Sequence, residues 1–141
     1  MTDLAKTMSV APSSRPVPAP APSATAKGQK AYAFARTQLG KPYRYGAAGP
    51  DAYDCSGLML TSWAKAGVSL PRTTATQFHI GRRVAKGDLR VGDLVFYYGP
   101  TPSHVGMYAG NGQIIHAPRP GKAVQQVPIG YMPFAGAVRP G

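Results

Sequence analysis

Over residues 28–39 (GQKAYAFARTQL), Ala31, Phe34, Ala35 and Leu39 fall near one face of a helical wheel, and Gly40 and Pro42 follow. That spacing predicts a first helix with a defined stop. Over residues 56–66 (SGLMLTSWAKA), Met59, Trp63 and Ala66 make a second stripe with Leu58 beside it. Asp54 stands where an N-cap belongs and Gly67 where the chain leaves the helix. A third, short helix is expected over 74–80, after Pro71. Beyond Gly87 the period changes. Residues 94–98 (LVFYY) and 105–108 (VGMY) are strand-like apolar runs. Asn111-Gly112 is a strong hairpin dipeptide, residues 113–117 (QIIHA) read as the return strand, and 135–139 as a last strand. Helices first and an antiparallel sheet after them predict an α+β domain.

Two stretches have no period. Residues 41–57 (KPYRYGAAGPDAYDCSG) read as an irregular loop rich in glycine and tyrosine. Residues 11–26 contain five prolines among Ala, Ser and Thr, which excludes a helix or a sheet ladder and gives an extended arm or linker. The expected organisation is therefore an arm over 1–26 and a folded domain over 27–141. Residues 1–10 have one Lys and no continuous apolar core, so they do not read as a secretory signal. Proline-rich segments lose little entropy on docking, and Tyr43, Tyr45 and Tyr53 offer aromatic surface beside Cys55. One expectation is that the arm lies near them and restricts access; the competing one is a plain linker.

Composition narrows the class. The 141 residues leave room for one domain, and 43% apolar content supports a core. No apolar run approaches the roughly 18 residues of a membrane span. Lys and Arg number 16 against 5 acids, all Asp, for a net charge of +11. Glutamate-rich metal sites are excluded. So basic a chain suits an anionic neighbourhood: nucleic acid, anionic lipid or an acidic wall polymer. The bases are scattered, however, and only Arg82-Arg83 are adjacent. There is no basic recognition helix, so nucleic acid is not expected as a partner.

The single cysteine, Cys55, rules out an internal disulfide and a Cys-rich zinc site. A lone Cys is most often a small buried hydrophobe. This one sits where loop becomes helix, in Asp54-Cys55-Ser56-Gly57, where unpaired N–H groups favour an ionised thiol and can bind an oxyanion. Of the three histidines, His79 reads as a surface residue. His104 begins one strand of the hairpin and His116 lies near the end of the other. Pairing about the turn puts residues opposite when their numbers sum to about 223, so His116 faces Met107 and not His104. Whether the two histidines share a sheet face then depends on a single bulge. A nucleophile needs a base in reach and the base needs an orienting group; Cys55, His104 and His116 could fill these roles.

Taken together, KPYRYGAAGPDAYDCSGL, LPRTTATQ, LRVGDLVFY and PSHVGMYAGNGQIIHA resemble the NlpC-type cell-wall peptidases, a papain-like cysteine hydrolase family, over about residues 29–139. The look is closest to secreted, mycobacterial-type members. The resemblance implies a papain-like α+β core with a sheet of about five or six strands. It carries the nucleophile onto Cys55, the base onto His104, the third polar residue onto His116 and an oxyanion-binding tyrosine onto Tyr43. Asp54 and Ser56 match positions lining the pocket for the donor side of the substrate, and Arg72 a motif residue near the cleft. The implied reaction is hydrolysis of the γ-D-glutamyl–meso-diaminopimelate bond of peptidoglycan stem peptides, through a thioester, by a monomeric enzyme without cofactor or metal. The implied location is secreted or cell-envelope, with no export signal in this chain. Two alternatives stay open: a catalytically silent wall-binding module on the same fold, and a papain-like amidase cutting another wall bond.

Overall fold

A computed structural model describes residues 24–141. The expected arm over 1–26, and its suggested docking, fall almost wholly outside the described residues. The first helix, α1 (Ala26–Thr37), starts two residues earlier than its apolar spacing suggests, because the Thr25 side chain accepts from Gly28 N and caps it. It also ends earlier, at Thr37. Ala31 and Ala35 are fully buried as expected, but Leu39 lies past the end and is exposed. Gln38 takes the inward place instead, accepting a hydrogen bond from the Tyr53 hydroxyl at 2.8 Å. α2 (Cys55–Lys65) is capped by Asp54 and buries Leu58, Met59 and Trp63 completely. α3 (Thr74–Gln77) is one turn rather than seven residues. His79 follows it, exposed. No helix among the described residues is long and apolar enough to cross a membrane.

Six strands form one antiparallel sheet in the order β1-β6-β2-β3-β4-β5. They are β1 (Arg82–Arg83), β2 (Leu94–Tyr97), β3 (His104–Gly110), β4 (Gln113–His116), β5 (Gln125–Pro128) and β6 (Phe134–Arg139). The strands without a clear sequence signal, β1 and β5, are the two edges. β1 is two exposed arginines, and β5 alternates half-buried with exposed residues around a glutamine pair. The sheet has two dressed faces. One row, with Leu94, Phe96, Val105, Met107 and Ile115, packs in a core with Ala31, Ala35, Leu58, Met59 and Trp63 of α1 and α2. The other row, Val95, Tyr97 and Ile114, is covered by Leu89, Val127, Ile129, Met132 and Phe134.

The hairpin decides where the histidines point. Gly110 pairs with Gln113 across Asn111-Gly112, but the register shifts between Tyr108 and Gly110, and Tyr108 then faces Ile114 and Met107 faces Ile115. Ala109 is the extra residue. The pairing sum drops by one, so His116 comes beside Gly106 rather than Met107. A side chain on Gly106 would meet Ile114 Cδ1 at 2.9 Å and His116 Cβ at 3.3 Å, so glycine there keeps room for the imidazole. An even sum places both histidines on the same face, in the row of Tyr97 and Ile114.

Candidate active site

The irregular loop is folded around the start of α2. Asp54 N donates to Ala47 O at 2.8 Å, and the Asp54 carboxylate accepts from Gly46 N, from Gly57 N and, at 3.4 Å, from Ser56 Oγ. Any Cβ on Gly57 would run into Ala47 O, so the loop can approach the helix only because residue 57 is glycine. Arg72 closes the arrangement with two hydrogen bonds to Asp54, at 2.8 and 3.1 Å, and one to Ser56 Oγ at 2.9 Å. The bidentate geometry is that of a strong charge-assisted pair. Its hydrogen bonds with Asp54 are the main reason the Arg72 guanidinium holds its proton more tightly than usual.

Cys55 is half-buried, the first residue of α2. Its thiol lies 3.6 Å from Thr74 Oγ1. The fully buried Gln77 ties α3 to this point, donating to Ser56 O and to Pro71 O. A cavity of about 440 Å³ opens over the thiol, lined by Tyr43, Tyr45, Asp54, Ser56, Arg72 and Ser103 among others. Burial first, then the closeness of the ionisable Cys55 and Asp54, pushes the Tyr43 phenol above its ordinary range. It therefore stays a hydroxyl that can donate. Tyr53 does not share this surface: it is fully buried in the core, so the three-tyrosine groove expected from the sequence is not formed.

The histidines lie at the adjoining end of the sheet. His104 Nε2 and His116 Nδ1 are 2.7 Å apart, with the rings edge to face. One proton is shared by that contact, so Nδ1 of His104 is the nitrogen left for other chemistry. If His104 donates from Nε2, His116 is an acceptor at Nδ1 and bears its own proton on Nε2. That nitrogen is buried and has no hydrogen-bond partner among the described residues. Burial pulls both imidazoles down to about 4, His116 also through repulsion from His104. Both are neutral at pH 7. The described hydrogen bonds do not join Cys55 to His104. A second cavity, about 430 Å³, is lined by His104, His116, Arg119, Lys122, Gln125 and Tyr98 among others. Ser103, immediately before β3, lines both cavities.

The residues singled out in the sequence thus form two adjacent groups: Tyr43, Asp54, Cys55, Ser56 and Arg72 around one cavity, His104 and His116 in the next. Thr74, Gln77 and Ser103 were not anticipated. Thr74 and Gln77 lie in the Thr-Thr-Ala-Thr-Gln run after Arg72, and Ser103 directly precedes His104, so adjacency was the available signal. Among the described residues no cluster of three or more His, Cys, Asp or Glu side chains could hold a metal.

Comparison with known proteins adds a family. The model of the NlpC/P60 family matches residues 40–134. A probable endopeptidase of Corynebacterium glutamicum is 46% identical over 113 residues, covering 79% of this chain and 53% of the relative. Probable endopeptidase p60 of Listeria monocytogenes is 49% identical over 86 residues, 60% of this chain but 18% of the relative. The chain therefore spans about half the length of the corynebacterial relative and less of the listerial one. The NlpC/p60 domain of the peptidoglycan hydrolase SagA superposes with a TM-score of 0.74 at 31% identity, covering 79% of this chain and 97% of that one. The peptidoglycan hydrolase RipB of Mycobacterium tuberculosis gives 0.72 at 30%, covering 80% and 64%.

Proposed function

Because the chain belongs to the NlpC/P60 family, whose domains share its fold of helices on a six-stranded antiparallel sheet, we propose that it is a cysteine endopeptidase of peptidoglycan. Its target is the γ-D-glutamyl–meso-diaminopimelate bond of the stem peptide. The observation that carries the reading is a thiol at a helix start, under a cavity that also holds a protonated Tyr43, beside a hydrogen-bonded histidine pair.

In this reading His104 Nδ1 takes the thiol proton and the Cys55 sulfur attacks the amide carbonyl carbon. The carbonyl oxygen gains the negative charge, which the Tyr43 hydroxyl and helix-start N–H groups bind as it forms. As the C–N bond breaks, His104 returns its proton to the leaving nitrogen, leaving a thioester. Water then attacks the thioester, giving a proton to His104, and the thiol leaves and recovers it. His116 orients His104 throughout. Asp54, Ser56 and Arg72 shape the donor-side pocket. The +11 charge favours approach to a polyanionic, extracellular wall.

Digestion of purified peptidoglycan, with mass analysis of the fragments, tests this beside Cys55→Ala. New amino termini on diaminopimelate, absent with the variant, are expected. Equal release by Cys55→Ala would sink the mechanism. Fragments cut at the sugar–peptide junction would make the enzyme an amidase, and intact wall that retains the protein would make it a binding module.

A further inference from the structure

The cavity on the histidine side has a chemistry of its own. The leaving amine receives its proton from His104, so the leaving half of the substrate must extend on the histidine side of the thiol. That is where the cavity lined by His104 and His116 lies. Its charge differs from that of the cavity over Cys55. There, Arg72 is neutralised by Asp54 at 2.8 Å. Among the described residues, the histidine-side cavity is lined by Arg119 and Lys122 and by no acid. Neither side chain has a hydrogen bond or ion pair among the described residues, and both are exposed.

These two cations are also held in place by their backbone. Lys122 N donates to Arg119 O at 3.1 Å, which closes Arg119-Pro120-Gly121-Lys122 into one turn. The turn is then pinned to the Tyr43 segment: Tyr43 N donates to Lys122 O at 2.9 Å, Val124 N to Lys41 O at 2.8 Å, and Pro42 bridges Ala123. The same loop segment that carries Tyr43 is thus tied by its backbone to the turn that carries the two cations. Two backbone-anchored cations that no described acid neutralises, flanking a polar cavity, suit a carboxylate.

We infer that Arg119 and Lys122 select a leaving residue that carries a carboxylate on its side chain, rejecting a leaving residue of similar length that ends in an amine alone. The inference rests on the reaction proposed above. For that reaction it means that diaminopimelate is distinguished from lysine at the leaving position by its extra carboxylate, and not by chain length.

The test uses two synthetic stem peptides, identical except for diaminopimelate or lysine on the leaving side of the γ-D-glutamyl bond. The full chain should cut the diaminopimelate peptide with kcat/KM at least about tenfold higher, the low end for a hydrogen bond to a charged group. The preference should shrink as salt is raised from low ionic strength. Arg119→Gln with Lys122→Gln should bring the ratio of the two kcat/KM values toward one, with the melting temperature checked against wild type. Arg119→Lys, which keeps the charge, should keep most of the preference. Wild type that cuts both peptides equally, or a double variant that folds and keeps the full ratio, overturns the inference and leaves the reaction standing. Wild type that cuts neither peptide overturns the reaction and the inference with it.

Discussion

The two halves of the site are built on opposite electrostatic plans. Around Asp54 every formal charge is matched: the carboxylate accepts five hydrogen bonds, from Gly46, Gly57, Ser56 and, twice, Arg72. Around His104 and His116 there is burial, one mutual hydrogen bond and an unpartnered Nε2. The first plan fixes geometry, because a bidentate ion pair has one good arrangement. The second leaves a proton free to move, because among the described residues no hydrogen bond or ion pair to a charged side chain holds it at one imidazole. A hydrolase needs both, and it needs them in different places.

Removing members of each half should separate the two plans. His104→Ala should have the largest effect after loss of the thiol, about 10²–10⁴ in kcat, with the melting temperature little changed. A loss under tenfold would mean that another group moves the proton. Tyr43→Phe should cost about 10²–10³ in kcat, or about 2.7–4 kcal/mol of transition-state binding. A change confined to KM would assign the hydroxyl to substrate binding. Arg72→Met should act mainly on stability, by about 1 kcal/mol, because its side chain is 39% exposed and solvent weakens the pair. If kcat falls with no change in melting temperature, the donor half is chemical and not only geometric.

The smallest effect is one of pH. Both histidines are held neutral down to about 4, against an ordinary 6.5. The unfolded chain therefore binds more protons between those values, and stability rises with pH across that window. Melting temperature should fall as pH drops from 6.5 toward 4. His116→Asn should flatten the fall. An unchanged slope in that variant would place the acid sensitivity in the carboxylates instead.

The helices and central strands could be read from the sequence because they bury whole side-chain rows, which forces an apolar period. The stripe of Met59, Trp63 and Ala66 and the run at Leu94–Tyr97 are of this kind. β1 and β5 could not be read, because edge strands are half-solvated and their period is diluted by arginine, glutamine and proline. Leu39 misled for the opposite reason. It fits the helical period, but the helix stops at Thr37 and Gln38 takes the buried hydrogen bond to Tyr53. Within the site, Asp54 as cap and Cys55 as helix start follow from local chemistry alone. The hold of Arg72 on Asp54 spans 18 positions, and the closeness of Arg119 to the histidines depends on how a loop is tied to Tyr43. No local pattern encodes either.

Ala109 shows how much can hang on counting. Its side chain enters none of the chemistry, yet as the unpaired residue of β3 it sets the phase between the two arms of the hairpin. Were it paired in the ladder instead, His116 would come beside Met107 and turn away from His104; were it deleted, Gly110 and Tyr108 would follow without a bulge and His116 would keep its place beside Gly106. A natural variant that loses one residue between these histidines keeps the pair by losing the bulge with it, whereas one that gains a residue must bulge again in the hairpin or lose its second imidazole. The interval between the two histidines and the bulge within it are therefore inherited together, and neither alone says whether the pair forms.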